Sequence, residues 1–327
     1  MKNFGQEVLL EVFDESKKNL VFSSDGLRVD FDIRIIASYR RATFSVWNVN
    51  TDTVAAITSG KRYATLSTRL LQDPDSNEWT ALASKFFVSN ALDVITVPNS
   101  ATTLYCYDNI KDTYLDNVVD LNVKEPTLGS VFKSIVTKSG MLADGKKIDP
   151  ISFPPNFLDR KFIRPIETKM DTVQNHLNRL GREGNRFTWY TREDGILVIH
   201  NPTWADRLVC LPPDTKNLLE LDVNNLRTTP KIGPAILSVT SNLDPGIETG
   251  RRIDITKLVT ATSDASDETL QTANKYLQRY VGINGQFQVL NVNHKGSNFT
   301  SQWDTEIVCT APEEGDSLST QNWFGHK

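Results

Sequence analysis

The clearest pattern in the chain is the strict two-residue alternation of Arg28-Val29-Asp30-Phe31-Asp32-Ile33-Arg34. A period of two puts Val29, Phe31 and Ile33 on one face and Arg28, Asp30, Asp32 and Arg34 on the other, which predicts an antiparallel strand with one wet side. Shorter apolar runs predict further strands: Phe4–Val12 and Leu20–Phe22 joined by a polar turn, then Ala42–Val49, Lys61–Leu66, Lys85–Val88, Asp93–Val97 and Thr102–Tyr107. Thr51–Ser59 reads as either a short helix or a turn. Turn residues recur about every 8–12 positions, the spacing of a sandwich or barrel. Residues 1–110 are therefore expected to form an all-β domain.

The period changes after Asp112. Leu128, Val131, Phe132, Ile135 and Val136 fall on one helical face, with Thr127 placed to cap the start and Gly140 to stop the end. A proline-rich connection follows (Pro150, Pro154, Pro155). Asp171-x-x-Gln174 then predicts a second helix by a capping-box variant, with Met170 as a hydrophobic staple, Val173, Leu177 and Leu180 inward, and Gly184 as its end. Phe187–Tyr190 and Ile196–Ile199 flank the turn Arg192-Glu193-Asp194-Gly195, so this helix feeds a hairpin. Residues 111–203 read as a small α+β domain.

From Trp204 the pattern is mostly β again. Ala235–Val239 and Arg252–Ile255 are strands separated by a Pro245-Gly246 turn. One helix interrupts, capped at Asp264 or Ser266, with Leu270, Ala273, Leu277 and Tyr280 on a face and Gly282 at its stop. Gln286–Asn293 and Trp303–Cys309 form a hairpin around Lys295-Gly296-Ser297-Asn298, and a slip in the alternation between Val289 and Leu290 predicts a β-bulge. Residues 204–327 thus read as a second β domain with a polar, acidic tail from Pro312.

Composition narrows the chemistry more than it supplies any. In 327 residues, 36 Lys and Arg stand against 40 Asp and Glu, a net charge of -4 that argues against a chain built around a nucleic-acid footprint. Cys106, Cys210 and Cys309 lie far apart without a CxxC, which suits small hydrophobes in a reducing cytosol rather than disulfides or zinc ligands. His176, His200, His294 and His326 show no metal-ligand spacing. The first residues carry no signal-peptide pattern, and no apolar run approaches the ~18 residues of a membrane span.

The local motifs dissolve on inspection. Asp73-Pro-Asp75-Ser-Asn77-Glu78 opens like a calcium loop, but Glu78 replaces the required glycine and Ser84 the bidentate glutamate. Asn298-Phe299-Thr300 is a glycosylation sequon that reads as a polar hairpin loop. The basic pairs Arg40-Arg41, Lys61-Arg62 and Arg251-Arg252 lie near Phe44, Trp47 and Tyr63, an arrangement open to an OB-type nucleic-acid binder but better read as solvated strand ends. No Walker loop, GxGxxG, GxSxG or HExxH is present. No catalytic, cofactor-binding or metal-binding residue is assigned.

The segment Lys231–Ile253 carries a resemblance. Its Ile232-Gly233-Pro234 turn before a strand, its Leu243-Asp244-Pro245 turn, and Gly250 before the next strand are similar to contractile-tail phage baseplate hub proteins, the late control D and gp27-like family. The closing hairpin Phe287-Gln288-Val289 to Cys309, the helix and hairpin of Asp171–Gly184 and Phe187–Ile199, and the strand with Phe44, Val46 and Trp47 resemble it too. The resemblance implies a β-rich α+β fold of two β-barrel hub domains flanking a small α+β domain. It implies a non-enzymatic homotrimer whose six barrels adapt a six-fold tail tube to a three-fold central spike. Implied partners are the tube or tube-initiator protein, the spike, the tape-measure protein, the baseplate wedge, and DNA in transit. The implied location is the virion tail baseplate, after synthesis in the host cytoplasm. No cofactor is implied. Competing readings are a tail-associated cell-wall hydrolase, a receptor- or carbohydrate-binding module using Trp47 or Trp79, and another tail component such as a distal-tail protein.

Overall fold

A computed structural model describes residues 6–36, 39–70, 78–96, 99–108, 110–141, 148–149, 159–162, 166–181, 188–191, 197–200, 218–221, 225–228, 230–232, 236–249, 252–254 and 286–310. It is β-rich, with one large, mainly antiparallel sheet and few helices. The described residues fall into two compact units, one drawn from 1–109 and 218–311, the other from 110–217.

The first unit begins with β1 (Gln6–Phe13), β2 (Leu20–Ser23), β3 (Val29–Ile36) and β4 (Tyr39–Trp47). A helix, α1 (Thr51–Thr58), follows, and the open alternative at this segment resolves as helix because the Asn50 side chain accepts the Thr53 N–H. Then come β5 (Tyr63–Leu70), β6 (Thr80–Thr96) and β7 (Asn99–Tyr107).

The second unit holds β8 (Val118–Val123), α2 (Leu128–Lys138), β9 (Ile148–Asp149), β10 (Ile166–Thr172), α3 (Val173–Leu180), β11 (Thr188–Thr191) and β12 (Leu197–His200). Thr127 caps α2 in a capping box closed by Ser130, and all five periodic residues are buried. Gly140 adopts φ +90, the left-handed geometry that ends such a helix. Leu121, Leu128, Phe132, Ile135, Leu177 and Trp189 pack in one core, which is why α2 and α3 lie on the buried face of the β8–β10 pair.

The chain returns to the first unit with β13 (Leu218–Glu220), β14 (Lys231–Ile232), β15 (Ile236–Asn242), β16 (Arg252–Asp254), β17 (Gln286–Ser297) and β18 (Trp303–Thr310). Its sheet runs β14-β15-β18-β17-β3-β4-β7-β6-β5-β1-β2, with β16 also pairing β17 and β13 pairing β16. Among the described residues this path is open, with β14 and β2 at its ends. The seam that makes one sheet of sequence-distant halves is β17 against β3, from Val292↔Ile35 to Ser297↔Asp30. Two cores lie under it. Leu10, Ile33, Phe44, Leu66 and Leu104 centre one, and Ile35, Leu237, Ile253, Phe287 and Ile307 centre the other.

Several expected boundaries move. Lys85–Val88 and Asp93–Thr96 belong to one continuous strand, β6, because hydrogen bonding to β7 continues through a register shift at Val88/Asn90 that breaks the side-chain alternation, while Val97 lies outside the described residues. The cap of α3 is Thr172, whose hydroxyl accepts the Asn175 N–H, while Asp171 bonds Thr172 N and Asn175 Nδ2 instead. The helix ends at Gly181, before the predicted Gly184. Met170 is no staple: it sits at φ +48 in a β8–β10 bulge, 80% exposed, with its N–H on Asp120 Oδ1 at 2.6 Å. The last hairpin turns at 298–302, because Lys295, Gly296 and Ser297 still pair with β3. The predicted bulge at Val289/Leu290 is present as a register shift between Val289 and Asn291. The helix expected near Asp264–Tyr280, the turn at Arg192–Gly195 and the prolines of 150–155 lie outside the described residues.

Candidate functional site

The polar face of β4, β3, β17 and β18 concentrates the charged side chains of the first unit. Alternation decides which residues reach it. Val29, Phe31 and Ile33 turn into the core, leaving Arg28, Asp30, Asp32 and Arg34 on the wet side as their period predicts. On β17, His294 and Gly296 face inward, so Asn293 and Lys295 join that side.

Asp30 is the knot of this face. Its Oδ1 accepts Arg28 Nε at 3.2 Å and the Ser297 hydroxyl, and its Oδ2 accepts Arg28 Nη2 at 2.9 Å and Trp47 Nε1 at 2.7 Å. The Arg28 guanidinium stacks over Trp47 at 4.4 Å and lies 5.7 Å from the Phe299 ring. Asn298 closes the clasp: its Oδ1 accepts Val29 N–H at 2.8 Å and its Nδ2 donates to Leu27 O at 2.7 Å. Thus the turn after β17 is bolted to the start of β3, some 270 residues earlier in sequence. Asp32 holds Arg34 in a two-bond pair, and Lys295 donates to both Glu306 oxygens at 2.8 and 2.9 Å. Arg227 lies 3.5 Å from Asp304. These partly exposed pairs contribute little stability singly. They set Arg28, Arg34, Arg227 and Lys295 each beside a carboxylate.

Beneath this face, polar groups tie the 243–249 turn to β17 and β18. Thr305 Oγ1 accepts Asp244 N–H at 3.0 Å and lies 3.0 Å from His294 Nδ1. Burial, with the Arg40 charge beside it, pushes the His294 pKa down to about 4. Arg40, itself buried, approaches Glu248 at 3.9 Å.

The remaining residues singled out from the sequence scatter. Adjacent residues of a strand point to opposite faces, so Arg40 is buried while Arg41 is exposed, and Phe44 lies in the core. Arg62 bonds Ala56 O and Ser59 at the end of α1. Tyr63 is buried under Lys17, whose Nζ sits 4.3 Å from the ring. The OB-type patch therefore does not assemble. Trp79 is exposed with Arg69 stacked on it at 4.8 Å. Cys106 and Cys309 are buried free thiols whose pKa burial pushes up, so they are poor nucleophiles. Cys210 and most of Asp73–Glu78 lie outside the described residues. Among the described residues no cluster of three His, Cys, Asp or Glu could hold a metal, and no helix is long and apolar enough to cross a membrane. The sequence reads Ser297 and Asn298 only as a polar hairpin loop and gives Glu306 no role. The alternation Asn293-x-Lys295-x-Ser297 was the available signal for the first of these.

The fold, a large sheet over two cores with a helix-containing unit, is shared with solved structures of phage tail proteins. The structure of the 43 kDa tail protein of prophage MuSo2 from Shewanella oneidensis matches with a TM-score of 0.54 at 10% identity, over 94% of this chain and 98% of that one. A tail protein from Neisseria meningitidis MC58 matches with a TM-score of 0.52 at 11% identity, over 95% and 98%. The c3393 protein of E. coli, described as a type VI secretion component structurally similar to the T4 tail proteins gp27 and gp5, matches with a TM-score of 0.50 at 8% identity, over 88% and 74%. No protein-family model and no curated protein matches the chain.

Proposed function

We propose that this chain is a structural hub of a phage-type tail, a homotrimer that joins a six-fold tail tube to a three-fold central spike. The observation that carries the reading is the shared fold over nearly the whole of two tail proteins. In this reading the β1–β7 half and the β13–β18 half, built over two cores, are the two barrel-type hub domains, and the second unit is the α+β domain that lies between them in sequence. The three sequence segments 1–110, 111–203 and 204–327 are then three domains, the outer two zipped along β3 and β17. The chain works without catalysis. Its partners are the tube or tube-initiator protein, the spike, the tape-measure protein and the wedge, in the baseplate of the virion, with DNA passing through. The charge-matched polar face suits a wet wall or a register-setting contact. Native mass spectrometry of the purified full chain, with electron microscopy of the species found, tests this. A trimer forming a ring is expected, and a monomer at all concentrations with no ring on mixing with the tube protein refutes it.

A further inference from the structure

The polar face holds a groove of about 370 Å³ between β3, β4 and β17, bounded by the 298–302 turn. Within it Arg28 and Lys295 are balanced by Asp30 and Asp32, so the site has no net formal charge. What matters is the hydrogen-bonding valence left over. Asp30 is saturated, with two donors on each oxygen. Asp32 receives only one Arg34 bond per oxygen, which leaves an acceptor position on each. Lys295 spends two bonds on Glu306 and keeps one N–H. Asp32 and Lys295 stand directly opposite in the β3–β17 ladder, yet each is held by a different partner. Thr43 and Gln302 also line the groove. Phe299, in the turn between the lining residues Ser297 and Thr300, is 65% exposed, with Arg28 5.7 Å from its ring.

We propose that this groove binds a neutral, hydroxyl-rich ligand of the saccharide class. A sugar hydroxyl is donor and acceptor at once, and Asp32 with Lys295 offers one spare position of each kind, side by side on groups already locked in place. An anion would face Asp30 and Asp32, and a cation would face Arg28 and Lys295, so charge balance selects against both. Phe299 presents an apolar ring for the C–H face of a sugar. The volume lies in the range of small-ligand clefts, about 300–1,000 Å³. This site goes beyond the structural role proposed above and does not rest on it.

Saturation-transfer NMR on the full chain tests the proposal, with maltose, lactose and N,N′-diacetylchitobiose as probes and inorganic phosphate as an anionic competitor. At least one disaccharide is expected to bind saturably in the millimolar range. Phe299→Ala and Thr43→Val should each weaken it about fivefold, the loss of roughly one contact's free energy, whereas Trp79→Ala outside the groove should leave it unchanged. Circular dichroism verifies that the variants fold. The proposal is overturned by no transfer to any of the three sugars, by equal binding in both groove variants, or by displacement of the sugar by phosphate.

Discussion

Acid should loosen the first unit through His294. The folded protein holds this imidazole neutral, with a pKa depressed from 6.5 to about 4, so the unfolded chain takes up the proton first as pH falls. The stability that the neutral ring contributes is complete above the unfolded value and is lost as pH drops from about 6.5 through about 4. Linkage then removes about 2 kcal/mol between pH 7 and pH 5, and about 3 kcal/mol by pH 4. The cause is burial, which strips the imidazolium of water, reinforced by the Arg40 charge beside the ring. Urea unfolding at pH 7 and pH 5, for the native chain and His294→Gln, measures this. Gln cannot titrate, and the surface carboxylates contribute alike to both proteins, so the difference of differences isolates the imidazole. The native chain should lose about 2 kcal/mol more than the variant. Equal losses in the two proteins would refute the reasoning.

Other outcomes follow from single contacts. A Cβ at Gly296 would lie 2.5 and 2.7 Å from the Phe31 ring, so Gly296→Ala should cost about 1–3 kcal/mol by overpacking; thermal melting should show part of the loss restored by Phe31→Leu. Asp30→Ala removes the acceptor for Arg28, Trp47 and Ser297 together, and should lower stability by about 1–3 kcal/mol, with faster hydrogen exchange at Val29 and Asn298. Thr127→Ala should destabilise the second unit by about 1 kcal/mol, read by helical circular dichroism on melting. Met170→Gly relieves a left-handed backbone at an exposed position and should raise the melting temperature or leave it unchanged, at about 0–1 kcal/mol; a clear fall would refute the reading of Met170 as strained.

Local physics made much of this chain legible. Alternation at Arg28–Arg34 gave the strand and both of its faces, because period two is a property of the backbone alone. The five apolar residues of α2 and its Thr127 cap were equally local. Boundaries failed where a bulge or a tertiary bond decided them. Asp171 looked like a cap until its carboxylate was claimed by Asn175, and Met170 like a staple until Asp120 held its N–H in a bulge. The β6 strand reads as two in the sequence because a bulge slips the side-chain phase, while the backbone ladder continues through that bulge.

The groove and the clasp were not legible at all. Asp30 and Ser297 are each unremarkable polar residues, and nothing near either one in sequence marks the other as its partner. The sequence by itself determined the β-rich composition of strands, the two amphipathic helices of the middle segment and the outward direction of the charges on β3. Only the tertiary structure decided that the first and last segments share one sheet, that His294 is buried and Lys295 is not, and that Lys295 pairs across strands with Glu306. Periodicity is written in neighbouring residues, whereas the β3–β17 register depends on which distant edges bury the most apolar surface together, a choice that Phe31 over Gly296 and Ile33 opposite His294 settle only once the two strands meet.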